Sequence, residues 1–101
     1  KVKLSHYSLR SHGYSDKDSD RLKTWVIEGS NDKKNWKKID ERFNEESVCD
    51  VSASNTFKID ENKSTNDFYR FIRIRQTGEN NSHTDILIFS LIEYFGTILE
   101  P

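Results

Sequence analysis

The chain has a single cysteine, Cys49, in 101 residues. That excludes an internal disulfide and any zinc site built from several thiolates. A lone thiol reads as an ordinary loop residue and favours a reducing, intracellular compartment. Catalytic use would require a histidine aimed at it, and nothing in the spacing supplies one. No apolar run approaches the roughly 18–20 residues of a membrane span. No charged-then-apolar leader opens the chain. An excess of one charge is also lacking: Lys plus Arg is 16, Asp plus Glu is 17, and the formal net charge is -1. Dedicated nucleic-acid binders are usually basic, and anionic membrane surfaces attract basic segments, so this balance speaks against both partners. Nothing in the sequence signals an oligomer.

Apolar residues are scarce. They make up 33% of the chain, against the usual ~45–50% of globular chains. Aromatics, at 12%, compensate in part, because each buried ring removes about 150–250 Å² from water. A thin core is expected, with either long polar loops or part of the domain lying outside this chain. Helical periodicity is missing as well: no window places apolar residues at i, i+3, i+4 and i+7 over three turns. There is no GxSxG, HExxH, phosphate-cradling glycine loop or CxxC. The expectation is a non-enzyme with no cofactor.

What is present is a series of short β-rich runs separated by Asn, Asp, Ser and Lys. Such a pattern reads as all-β. The first run is Val2 to Arg10. Val2 and Leu4 share one face and Tyr7 and Leu9 the other, so the phase slips near Ser5–His6, as a β-bulge would make it do. A polar stretch, Ser11 to Asp20, follows as a long loop. Leu22 to Gly29 is the second run, with Trp25 and Ile27 on one face and Thr24, Val26 and Glu28 on the other. Gly29 is expected to allow a sharp departure, Ser30-Asn31-Asp32 supply turn chemistry, and Trp36 to Ile39 returns. WVIEGSNDKKNWKKI therefore reads as a hairpin, with Trp25 and Trp36 pinning its arms to one core.

Glu41 to Asn55 is polar and irregular, with some helix expected in ERFNEESV. Thr56 to Asp60 is a short strand with Phe57 and Ile59 facing alike. Phe68 to Thr77 is the clearest strand: Phe68, Ile72 and Ile74 on one face, and Tyr69, Phe71, Arg73 and Arg75 on the other. Ile86 to Gly96 is apolar on both faces, as a fully covered strand is. Six such runs without helices to cover a parallel sheet predict a β-sandwich.

The order of these runs carries a resemblance. YSLRS, LKTWVIEGSNDKKNW, YRFIRIRQTG and LIEYFG, taken together, resemble the discoidin family, also called the coagulation factor type C family. The W.IEGSND…W hairpin and the closing IE.FG are its landmarks. The resemblance covers essentially residues 1–97. It implies a galactose-binding-like jelly-roll sandwich, here lacking its first strands, so that residues 1–101 form one partial domain. Secreted members commonly tie their ends with a disulfide, which a lone Cys49 rules out; the chain looks more like the intracellular and protist branch. Some sugar-binding relatives hold a structural calcium through an N-terminal part that has no counterpart here, and no metal ligands are assigned.

In relatives, ligands bind on loops at one end of the sandwich. The resemblance places Arg10 where sugar-binding members carry an arginine. A guanidinium fork suits two neighbouring sugar hydroxyls. His12, Tyr14 and Asp16 would add a donor, a ring face and an acceptor, although such residues more often form a solvated turn. Apolar spikes like those of lipid-binding relatives are absent, and burying the Asp and Lys of this loop in lipid would be costly, so membrane insertion is not expected. Asn80, Asn81 and His83 are secondary candidates in a loop that also reads as a plain surface turn. Arg70, Arg73 and Arg75 faintly suggest a nucleic-acid platform, but a salt-bridged sheet face fits better. Lys33, Lys34, Lys37 and Lys38 read as a solvated rim. Two functions follow as expectations: a recognition module for a carbohydrate-like ligand, or a protein-interaction and scaffolding domain with no small ligand.

Overall fold

The computed structural model describes residues 1–11, 22–49, 53–60, 68–80 and 91–98. They form six strands: β1 (Val2–Arg10), β2 (Trp25–Ser30), β3 (Lys37–Arg42), β4 (Ser54–Lys58), β5 (Phe71–Gln76) and β6 (Leu91–Ile98). One turn of 3₁₀ helix, Glu46–Val48, is the helical content within ERFNEESV. All strand pairing is antiparallel. The strands make two three-stranded sheets, ordered β4-β1-β6 and β3-β2-β5. Only β2 and β3 are sequential neighbours; every other connection passes from one sheet to the other. The result is the expected β-sandwich, closed by an isolated bridge between Val2 and Tyr69.

Two register shifts set the core. Between Leu4 and His6 the β1–β6 ladder skips Ser5. This is the bulge the phase slip predicts, and it turns Leu4, Tyr7 and Leu9 onto one buried face. The second shift inserts Ile39 into β3 opposite Ile27 and Glu28, so Ile39 joins the core. Trp25 and Ile27 from β2, Phe57 and Ile59 around β4, and Tyr69 complete the cluster between the sheets. Each large apolar side chain so buried stabilises the fold by about 1.5–3 kcal/mol. The Trp25 and Phe57 rings meet edge-on at 5.3 Å, and Tyr7 lies tilted over Phe57 at 5.2 Å.

Several expectations are corrected. Leu22 to Thr24 lie outside β2, which instead runs one residue further, to Ser30. Gly29 does not make the turn: no glycine among the described residues has positive φ, whereas Lys33 has φ 63°. Gly29 is required for space, because a Cβ there would lie 2.5 Å from the Tyr69 ring. The turn is built by Asp32, whose carboxylate accepts from the backbone N–H of Lys34 and of Asn35 at 2.8 Å each. Those bonds, the Asn35 N–H first, hold its carboxyl well below the usual carboxylate range. Tyr69 turns into the core instead of joining Phe71, Arg73 and Arg75, because β5 begins only at Phe71.

Trp36 does not pin the hairpin to the core; it is half-buried outside it. Its indole N–H points back to the Lys33 carbonyl at 3.3 Å. Finally, β6 is not a covered strand. Among the described residues it is the edge of its sheet, and nearly every residue in it is exposed. Residues 86–90 of the predicted run lie outside the described residues.

Candidate functional site

The predicted loop site is represented by its first two residues. Arg10, the last residue of β1, is exposed, and pairs across the ladder with Leu91. Ser11 is buried, and its N–H donates to the Ala53 carbonyl at 2.8 Å. His12, Tyr14 and Asp16 lie outside the described residues, as do Asn81 and His83. Asn80 is fully buried. A buried amide of this kind ordinarily has its hydrogen-bonding groups paired. Cys49 is half-buried, its thiol directed at the carbonyls of Leu22 and Glu45 at 3.6 and 3.7 Å.

A polar network crosses the sandwich where sequence reading had placed nothing. The indole N–H of Trp25 donates to the Tyr7 hydroxyl at 2.9 Å. Tyr7 in turn donates to the Asp40 carboxylate. The same oxygen of Asp40 accepts from Arg42 Nε at 3.0 Å, and Arg42 Nη2 donates to the Lys58 carbonyl at 3.0 Å. Burial, and then the Asp40 carboxylate, push the Tyr7 phenol far above its ordinary range. The phenol is therefore a fixed donor at any physiological pH. The guanidinium of Arg42 also lies 5.0 Å from the centre of the Phe57 ring. Beside this network opens a cleft of about 460 Å³ lined by Ile39, Asp40, Arg42, Phe43, Lys58 and Asp60, among others. Its charges are mixed in sign, and Phe43 is 70% exposed at its rim. One oxygen of Asp40, in the lining of this cleft, is engaged by two donors, Tyr7 and Arg42.

The outer face of the β3-β2-β5 sheet is more sharply organised. Glu28 is buried, and its Oε1 accepts from Arg73 Nε at 3.0 Å and Arg75 Nε at 2.9 Å. Arg75 Nη2 reaches Oε2 at 3.4 Å. The hydrogen bond from Arg75 chiefly, with help from Arg73 and against burial, holds the Glu28 carboxyl below its ordinary value. Arg73 lies over Trp36, its guanidinium carbon 3.9 Å from the ring centre, and the Lys33 ammonium sits 4.6 Å over Phe71. Contacts of this kind are worth about 0.5–1 kcal/mol at exposed sites. The salt-bridged face expected for Arg73 and Arg75 is thus present. Glu28 is not legible as their partner in the sequence, since it stands 45 and 47 residues away.

A third feature lies on β6. Leu91 is 46% exposed, Tyr94 37%, Phe95 45% and Ile98 74%. Within the described residues β6 pairs only with β1, leaving its second edge without a strand. Among the described residues no three His, Cys, Asp or Glu side chains gather as metal ligands. No helix among them is long and apolar enough to cross a membrane.

Compared with known proteins, the chain is 32% identical over 97 residues to an E3 ubiquitin-protein ligase, Ufd4, of Drosophila melanogaster. The match takes in 92% of this chain and 3% of that ligase, so the chain spans only a small part of its relative's length. No protein-family model matches the chain. No solved structure matches it.

Proposed function

We propose that this chain is a non-catalytic recognition module of discoidin type, and that it recognises polypeptide. The observation that carries this reading is β6. Its four large apolar side chains stand exposed along an edge strand whose outer ladder has no partner among the described residues. Exposed apolar edges invite pairing, and extended segments commonly add to them, main chain to main chain. The occupant is an extended polypeptide segment beside β6 with apolar side chains meeting Leu91, Tyr94 and Phe95. The likeness to a ubiquitin-protein ligase supports this reading, since such a protein by its name deals with proteins.

Carbohydrate recognition is the second reading. It is favoured by the exposed Arg10 at the point where the chain leaves β1. One pair of measurements separates the two: a glycan array and an array of extended apolar peptides. Both are probed with the chain and with its Arg10→Ala and Phe95→Asp variants. The expected result is peptide retention that Phe95→Asp abolishes, with no glycan retained. Retention on galactose, N-acetylgalactosamine or fucose-type glycans that Arg10→Ala removes replaces the polypeptide reading with the carbohydrate one.

A further inference from the structure

We propose that the outer face of the β3-β2-β5 sheet is a second, separate docking site, and that its occupant is an acidic extended peptide. Cross-strand pairing puts Glu28 with Lys38 and Arg73, and Val26 with Glu41 and Arg75, on one face. Lys33 joins them over Phe71. Four cations thus stand against two carboxylates, on a chain whose formal net charge is -1. One carboxylate, Glu41, is taken by Lys38 at 3.0 Å. The other, Glu28, is shared by two guanidiniums. Four cations against two carboxylates leave a net charge of +2 among these residues of the face.

Geometry then selects the ligand. Arg73 gives only its Nε to Glu28; beyond that bond and the Trp36 ring it has no partner among the described residues. Its two terminal nitrogens are an unspent fork, the arrangement that grips a carboxylate with two parallel bonds. Side chains two apart on a strand repeat at about 6.8 Å. An extended peptide lying along β5 therefore sets acidic residues at positions i and i+2 over Arg73 and Arg75.

Nucleic acid fits the same cations poorly. Base recognition needs open ring faces, and Arg73 covers the face of Trp36 while Lys33 covers that of Phe71. The rings serve as supports that hold the cations upright.

The test is fluorescence polarisation with a labelled peptide of alternating Glu and Ser, its Gln-for-Glu counterpart, and an oligothymidine of equal charge. The Glu peptide is expected to bind, with affinity falling as salt rises, and the Gln peptide is not. Arg73→Gln together with Arg75→Gln should weaken binding at least tenfold. Lys33→Gln, in a turn and outside the ladder, should weaken it several-fold and carries the test if the double variant fails to fold. Equal binding of the Glu and Gln peptides overturns the proposal. So do tighter binding of the oligothymidine, an undiminished affinity in the folded variants, and no binding of the Glu peptide at millimolar concentration. Phe95→Asp leaves this binding unchanged, so the fate of the β6 reading is read separately.

Discussion

β2 and β6 carry similar side chains and meet opposite fates. β2, WVIEGS, includes a carboxylate, a glycine and a serine, yet all six of its residues are buried. β6, LIEYFGTI, is richer in large apolar groups, and only Ile92 is better than marginally covered. Hydropathy does not separate them; place in the sheet does. β2 has a neighbour on each side and a sheet behind it, while β6 is an edge. A charge can be buried in β2 because two arginines reach it from β5. Apolar groups stay exposed on β6 because nothing among the described residues lies beyond it. Burial of Glu28 serves the fold, and exposure of Phe95 is what the recognition reading uses.

That contrast can be broken most forcefully at Trp25. Trp25→Ala should cost about 3–5 kcal/mol, the usual loss for a large buried aromatic, measured by urea denaturation. Leu91→Ser on β6 should stay within about 0.5 kcal/mol, as surface changes do. Equal losses would mean that β6 is covered after all. Next in size is Gly29→Ala. The added methyl meets the Tyr69 ring at 2.5 Å, and overpacking of this kind costs about 1–3 kcal/mol. A companion Tyr69→Leu should recover part of that loss in a double-mutant cycle.

Tyr7→Phe comes third. It removes the donor to Asp40 and the acceptor for Trp25, and stranded buried partners cost about 1–3 kcal/mol. Smallest is the contribution of Glu28, which is shared with arginines 41% and 54% exposed, so water screens it to below about 1 kcal/mol. Its native pKa is depressed. Its stabilisation is therefore fully present above the unfolded carboxyl pKa of about 4.3 and fades as pH falls from there through the lower native value. The urea midpoints of the wild type and Glu28→Gln should differ at pH 7, and the difference should shrink as pH falls below about 4.3.

Much of the sandwich is legible in the sequence where partners are local. Alternation places Phe57 and Ile59 together, and the slip around Ser5 announces a bulge. Trp36 and Tyr69 are misread because their surroundings come from far along the chain. Trp36 is held by a guanidinium 37 residues on, and Tyr69 by a bridge to Val2 and a hollow at Gly29. The outer-face site is half legible. Its arginines stand out at alternate positions of one strand, but the carboxylate that aligns them and the rings that prop them belong to other strands. Of the loop site only Arg10 and Ser11 can be placed, and Asn80, polar in a polar run, is drawn into the interior.

The extra residue in β1 has a consequence for how this chain can change over time. Ser5 joins two half-ladders of opposite phase, and Gly96 across from it leaves no room for a methyl, which would fall 2.0 Å from the Lys3 carbonyl oxygen. Deleting that one residue would turn Val2 and Leu4 to water and Lys3 inward, since a single-step slip inverts every side chain on its side. Lengthening the connection between β1 and β2 by many residues costs comparatively little. Descendants of this sequence should therefore vary freely in the length of that connection while keeping β1 at a constant residue count, with glycine opposite the bulge.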